Sequence, residues 1–152
     1  MIRMIRRTVA LILAWSFLVG AASVGRSDPE VERTRRQVRM LDEPYQALMA
    51  LTNEHKVKNV ASTVEIRAVD LSGSPINPSS RPGDRFETGA ARRIIQGDEW
   101  YEEIVVTDGK RSLRVATPVM FSTRGCPACH SEYRGFPEGQ PIGFLSYRLP
   151  VE

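Results

Sequence analysis

Residues 100–121 read WYEEIVVTDGKRSLRVATPVMF, and this stretch decides the fold. Two runs rich in strand-forming residues, 100–107 and 111–121, are joined across Asp108-Gly109. An Asp-Gly pair between two such runs is among the strongest short-range signals of a β-hairpin. The stretch therefore predicts two antiparallel strands that are neighbours in one sheet.

The segments on either side of the hairpin complete an α+β pattern. Alternating apolar and polar residues predict further strands at 63–69 and 142–149. Asp84, followed three positions later by Glu87, predicts the start of a helix that ends at Gly97. Elements in this order predict an α+β domain around an antiparallel sheet, with the loop between the last two strands at the rim of the sheet.

A long helix is predicted ahead of the first strand. Ser27-Asp28-Pro29-Glu30 supplies a capping side chain, a proline for the first turn and an acid near the positive end of the helix dipole. Apolar positions then recur at steps of three and four residues as far as His55. Pro44 lies inside this stripe, and we expect it to kink the helix or to divide it, with Asp42 or Glu43 capping the second part.

The first residues of the chain have the layout of a secretory leader. Three arginines precede an apolar run, and small residues follow it. This order predicts a signal peptide over residues 1–22, with cleavage after Ala21 or Ala22. The alternative is an uncleaved membrane anchor, because the apolar stretch reaches Val24 if the small residues are included. Either interpretation predicts that the rest of the chain is exported, to the periplasm or beyond the cell.

The charge balance argues against some classes of partner. The chain has 21 basic and 18 acidic residues, and four of its arginines lie in residues 1–27, which hold no acid, leaving 17 basic against 18 acidic residues after them. Domains that bind nucleic acid are typically strongly basic, so no nucleic-acid partner is expected. Contact with a membrane is expected only if the leader is uncleaved. The remaining length suffices for one domain, which we place at residues 28–152.

Both cysteines and one of the two histidines lie in residues 123–135, TRGCPACHSEYRG. In the pattern Cys-x-x-Cys-His, Cys126 and Cys129 add to the two vinyl groups of a haem, which is then one covalently bound haem c. His130 is thereby presented to the iron as its proximal ligand. Covalent attachment suits an exported protein, which could lose a loosely held cofactor.

Three other interpretations of these cysteines remain open. A dithiol redox couple is typical of a βαβ setting, which is not the pattern here. A zinc site needs more ligands, and the chain offers only His55 in addition. A plain disulfide would close a very short loop and stabilise little. We favour haem because the chain is exported and has no other cysteine.

The loop and first turn of helix INPSSRPGDRFE (76–87), the strand RVATPV (114–119) and the Cys-x-x-Cys-His segment follow one another in the chain. Together they resemble the secreted c-type haem domains of bacterial sensors, a family with a PAS-like fold that is catalogued as a domain of unknown function. The similarity extends over residues 33–152 and includes QVRMLDEPYQ (37–46) in the predicted first helix.

The resemblance implies a PAS-like antiparallel sheet with a long N-terminal helix, and a haem at the rim of the sheet that packs against both. Some members of the family supply a cysteine between the first helix and the first strand as the second axial ligand. This chain has no cysteine there, so that ligation does not carry over.

His55 is the first candidate for the distal side of the iron, because it lies on the apolar stripe of the helix expected to cover the haem and imidazole suits iron. Its alternative role is to cap the end of that helix. Met40, Met49 and Met120 are the next candidate ligands, and an open sixth position is the third option.

Arg114 and Arg124 precede the motif closely in sequence and are candidate contacts of the haem propionates. A bound haem predicts sensing of redox state or of a small ligand, or electron transfer, with a redox partner or a membrane sensor protein as the partner. The enzymatic alternative is a haem peroxidase, which would need an open distal position with a base beside it. Catalysis is the less favoured interpretation, and no residue is assigned to it.

Overall fold

The computed structural model describes residues 28–51, 63–73, 75–122 and 133–152, with the backbone alone for residues 48–51. The predicted signal peptide lies outside the described residues. Within these ranges no helix is both long enough and apolar enough to cross a membrane. The elements in chain order are helix α1 (Pro29–Leu51), strand β1 (Glu65–Asp70), a short 3₁₀ helix (Pro78–Ser80), helix α2 (Arg85–Ile95), and strands β2 (Tyr101–Thr107), β3 (Lys110–Met120) and β4 (Pro141–Pro150).

The four strands form one antiparallel sheet in the order β1-β4-β3-β2. The predicted hairpin is confirmed, since Thr107 pairs with Lys110 across the turn. Both turn residues have positive φ, 50° at Asp108 and 73° at Gly109. Positive φ at both central residues is what the type I′ turn of a two-residue hairpin requires. The predicted α+β class with an antiparallel sheet is therefore confirmed, and the arrangement fits a PAS-like fold.

The sheet buries both of its faces, one under each helix. Successive residues of a strand point to opposite faces, so Phe144 of β4 packs towards α2 whereas Leu145 packs towards α1. The apolar cluster under α1 is the larger one and consists of Val31, Val38, Tyr45, Leu113, Val115, Leu145, Tyr147 and Leu149. The cluster under α2 consists of Val69, Phe86, Ala90, Ile94, Ala116 and Phe144.

Helix α1 continues through Pro44, so the expectation that this proline divides the helix is wrong. A proline inside a helix lacks the N–H that would bond to the carbonyl four residues earlier, here that of Met40. Met40 and Pro44 both lie on the exposed side of the helix, so water can take the place of the missing donor. Val38 and Tyr45, on the opposite side, are buried against the sheet, so the helix packs on the sheet both before and after Pro44.

Helix α2 begins as its sequence predicts, and its first turn is tied to the sheet. Asp84 Oδ1 accepts a hydrogen bond from the Glu87 N–H at 2.9 Å, and Glu87 Oε2 accepts one from the Gly83 N–H at 2.7 Å. Arg114 of β3 donates to Asp84 Oδ2 at 2.5 Å, and its guanidinium lies over the Phe86 ring at 4.2 Å. The cap of α2 therefore also docks the helix on β3.

We expect Gly143→Ala to destabilise the protein, because a Cβ at this position would lie 2.5 Å from the backbone oxygen of Val69 on the neighbouring strand. The backbone cannot yield as a flexible side chain can, and overpacking of this kind costs about 1–3 kcal/mol. Gly89→Ala is the matched control. Its Cβ would meet the far end of the Tyr101 side chain at 3.0 Å, and alanine is the better helix former. Urea unfolding that ranks the two variants in the opposite order would contradict this packing.

The charge of Asp84 predicts a pH dependence of stability. Burial alone would raise the pKa of this carboxyl, but the bonds from the Glu87 N–H and from Arg114 outweigh it and hold the pKa below its ordinary value of 3.8. A carboxyl with a lowered folded-state pKa stabilises the fold above its unfolded pKa, and this contribution is lost as the pH falls below about 4. Asp84→Asn keeps the cap but not the charge. As the pH falls below about 4, the unfolding free energy of Asp84→Asn should therefore fall less than that of wild type. Parallel pH dependences of the two unfolding free energies would show that the Asp84 charge does not stabilise the fold. Asp108→Asn, in the exposed hairpin turn, is the control.

Candidate functional site

The direction of α1 over the sheet is fixed by contacts at two levels. Near its start, Thr34 Oγ1 lies 3.4 Å from the Pro150 carbonyl oxygen at the end of β4. Two turns later, Asp42 Oδ1 accepts hydrogen bonds from Thr117 of β3 at 2.5 Å and from Tyr147 of β4 at 2.7 Å. Helix α1 therefore runs in the same direction as β3 and opposite to β4.

It follows that α1 and β3 end at the same end of the sheet. From the level of Asp42 and Thr117, α1 continues about 13 Å to Leu51, and β3 continues about 10 Å to Met120. Strand β4 begins at this end, which we call the α1/β3 end. The chain that leaves α1 here reaches His55 after four residues, and the chain that leaves β3 here reaches the Cys-x-x-Cys-His segment.

The predicted iron ligands and thioether cysteines themselves, His55, Cys126, Cys129 and His130, lie outside the described residues, as does Arg124. The structure describes the chain on both sides of each segment instead. Their assignments stay predictions, and what the structure shows is that α1 and β3, the elements that precede the two segments in the chain, end at the same end of the sheet.

Both ends of the Cys segment are anchored in one small apolar cluster. Phe121, just before the segment, is buried together with Tyr133, just after it, and with Ile142 at the start of β4. The Phe121 N–H donates to the Gln140 carbonyl at 2.8 Å, and the Tyr133 hydroxyl donates to Asp70 at the end of β1. The described residues on the two sides of the segment that contains Cys126 and Cys129 are therefore held together beside the sheet.

The Asp42 carboxylate is the polar centre of the interface between α1 and the sheet. Its Oδ2 accepts a further hydrogen bond from the Gln46 side chain at 3.1 Å, so both oxygens are engaged. Thr117 and Tyr147 are buried. Burial, followed by the hydrogen bond to Asp42, raises the pKa of the Tyr147 hydroxyl, which stays protonated and acts as a donor.

Tyr45 lies one turn beyond Asp42 on the same side of α1, towards the α1/β3 end. The residue is 7 % exposed, and its hydroxyl finds no hydrogen-bond partner among the residues that the structure describes. Burial raises the pKa of this hydroxyl, which therefore keeps its proton. A buried hydroxyl without a partner is rare in folded proteins.

The predicted propionate contact Arg114 lies on the other face of the sheet, under α2. About 20 Å of strand separates it from Met120 at the α1/β3 end. It lines a cavity of about 420 Å³ in which three arginines face three carboxylates: Arg67, Arg114, Arg148, Glu65, Asp84 and Glu87. The role of Arg114 at a propionate stays a prediction, and Asp84 competes for the same guanidinium.

Of the candidate methionine ligands, two are described. Met40 lies midway along α1 and is 70 % exposed, on the side of the helix that faces away from the sheet. Met120 is the last residue of β3 and is 49 % exposed, so it is the described methionine that lies at the α1/β3 end. The side chain of Met49 is outside the described part of the chain.

We expect Asp42→Ala to lower the free energy of unfolding by about 2–4 kcal/mol, because it leaves the buried hydroxyls of Thr117 and Tyr147 without their acceptor. Glu43→Ala, at the next and exposed position of α1, is the control and should change stability by less than about 0.5 kcal/mol. Denaturant unfolding followed by circular dichroism measures both. Equal effects of the two variants would show that Asp42 does not dock α1.

Comparison with known proteins agrees with the resemblance seen in the sequence. No curated protein and no solved structure matches the chain. The family model of the Tll0287-like domain matches residues 20–145, which include α1, α2, strands β1 to β3, the Cys segment and the first half of β4. The chain therefore belongs to the Tll0287-like domain family.

Proposed function

We propose that this chain is an exported c-type haem protein that carries one covalently bound haem c at the α1/β3 end. One observation carries the proposal. In a chain of the Tll0287-like family, the Cys-x-x-Cys-His segment leaves the sheet at the same end at which α1 delivers the segment with the second histidine. That pairing supplies two thioether positions and two imidazoles to one region of the fold.

Each proposed contact uses a residue suited to it. Cys126 and Cys129 hold the porphyrin edge as thioethers, and His130 ligates the iron from the proximal side. His55, four residues beyond Leu51, ligates it from the distal side. When bound, the haem supplies one-electron redox chemistry, and the protein sets its potential through the axial ligands, burial and nearby hydrogen bonds.

The described residues around the α1/β3 end suit a large apolar ring with polar edges. Val119, the residue before Met120, is partly buried at this end beside the larger apolar cluster and offers it an apolar surface. The Tyr45 hydroxyl supplies a hydrogen-bond donor that has no described acceptor. An apolar wall with an available donor is the combination that a haem with its two carboxylates requires.

Two histidine ligands favour redox sensing or electron transfer over gas sensing. With both axial positions filled, a small molecule finds no vacant coordination site on the iron. The partner is then a redox protein or a membrane sensor protein that responds to the oxidation state. The leader predicted from the sequence at residues 1–22 would put this exchange in the periplasm or outside the cell.

The test is the absorption spectrum, oxidised and reduced, of protein exported by cells that carry the cytochrome maturation machinery. Wild type should be coloured, and its haem should stay bound in denaturing electrophoresis because the thioethers are covalent. Cys129→Ala should lose or weaken this attachment. His55→Ala should convert a low-spin spectrum to a high-spin one, whereas Glu54→Ala, in the same segment, should leave it unchanged.

The contrary outcomes are distinct. A colourless wild type would refute the haem and return Cys126 and Cys129 to disulfide, dithiol or zinc chemistry. A coloured wild type with an unchanged His55→Ala spectrum would keep the haem but remove His55 from the iron. The distal position would then belong to a methionine or be open, and ligand sensing or peroxidase chemistry would replace redox sensing as the function to test.

A further inference from the structure

The cavity under α2 has a wall of buried polar side chains. It lies between the first turn of α2 and strands β1, β3 and β4, and its volume of about 420 Å³ is within the range of small-molecule sites. Glu87, Arg114 and Ser146 line it and are each no more than 7 % exposed. Charged side chains are seldom buried to this extent unless their polar atoms are engaged.

Two arginines of the cavity form tight ion pairs, and these pairs leave one atom of each buried group unused. Arg67 donates to Glu87 Oε2, which also accepts from the Gly83 N–H at 2.7 Å. Arg114 donates from Nη1 to Asp84 Oδ2 at 2.5 Å. The remaining atoms, Arg114 Nη2 and Glu87 Oε1, lie 3.8 Å apart, which is too far for a hydrogen bond between them. The wall therefore presents a donor and an acceptor side by side.

The third arginine, Arg148, is the cation whose charge is least compensated. It lies directly opposite Arg114 on the neighbouring strand, and like charges at such positions repel each other. Its ion pair with Glu65 joins Nε to Oε2 at 3.6 Å, and the Glu65 side chain is 74 % exposed. Such an exposed pair stabilises little. An anion bound at Arg148 would reduce the repulsion between the two arginines.

The unused atoms select the chemistry of a ligand. A hydroxyl both accepts and donates, so a single hydroxyl can bond to Arg114 Nη2 and to Glu87 Oε1. An ammonium group only donates, and it would lie against the Arg114 cation. A carboxylate is the planar anion that a guanidinium binds with two hydrogen bonds, which suits Arg148. Because Arg114 and Arg148 are neighbours in the sheet, the two ligand groups must be close together.

We propose that the cavity under α2 binds a small hydroxy-carboxylate, with its carboxylate on Arg148 and its hydroxyl between Arg114 and Glu87. Ser146, two residues before Arg148 on the same face of β4, adds a further hydroxyl to the wall. This site goes beyond the proposed haem function and does not depend on it. All of its residues are described, and they lie on the face of the sheet away from α1.

Titration calorimetry of the exported protein with lactate, propionate and alanine, at constant ionic strength, tests the site. These acids share one carbon skeleton and carry a hydroxyl, a hydrogen or an ammonium group next to the carboxylate. Lactate should bind at least about tenfold more tightly than the other two, because only its hydroxyl satisfies both Arg114 and Glu87.

Arg148→Gln should weaken lactate binding about tenfold, since it removes the charged partner of the carboxylate. Arg93→Gln is the matched control. Arg93 is likewise an exposed arginine with an ion pair, to Asp98, but it lies outside the cavity, near the end of α2. Its substitution should leave lactate binding as in wild type.

The contrary results are specific. Absence of lactate binding, or equal binding of all three acids, would overturn the site. Tighter binding of alanine would replace the hydroxyl with an ammonium group and overturn the ligand class. Unchanged lactate affinity in Arg148→Gln would remove the carboxylate from this arginine. The comparison of the three acids needs only wild type, so it decides the matter even if Arg148→Gln does not fold.

Discussion

One carboxylate, that of Asp42, determines how the two halves of this fold meet. It accepts hydrogen bonds from β3 and β4 at once, through Thr117 and Tyr147, beside the apolar cluster that packs α1 on the sheet. An apolar stripe on a helix can slide along a sheet at little cost, whereas a buried carboxylate with two donors has one satisfactory position. Asp42 therefore sets the register of α1, and with it the place at which the chain leaves α1 towards His55.

The two faces of the sheet differ in the side chains that pack on them. Under α2, arginines and carboxylates face each other around the cavity, and the Asp84–Arg114 pair at 2.5 Å is also the cap of the helix. These charges pair with one another and secure α2, although the buried Arg114 Nε has no hydrogen-bond partner among the described residues. Under α1, the described polar groups are few, and one of them, the Tyr45 hydroxyl, has no described partner. Each face therefore holds one buried polar atom without a described partner, the Tyr45 hydroxyl under α1 and Arg114 Nε under α2.

Much of the fold could be predicted because its signals are local. Asp108-Gly109 specified the hairpin, and Asp84 with Glu87 specified the start of α2, since each acts on residues within one turn. The role of Asp42 could not be predicted in this way, because its partners lie 75 and 105 residues along the chain. Pro44 does not divide α1, because the helix is buried against the sheet on both sides of this proline and the lost hydrogen bond lies on the exposed side.

The same holds for the candidate site, where local patterns could be predicted from the sequence and contacts between distant residues could not. The Cys-x-x-Cys-His pattern is local and indicates haem from the sequence. Nearness in sequence to this pattern says little about the position of Arg114, because an extended strand carries Arg114 about 20 Å from the α1/β3 end.

The central claim is that the Cys segment holds a covalent haem at the α1/β3 end. Mass spectrometry of the exported protein and of its proteolytic peptides tests it most directly. We predict one added haem on the peptide that contains both Cys126 and Cys129; a peptide with two free thiols, or with a disulfide and no added group, would contradict the account.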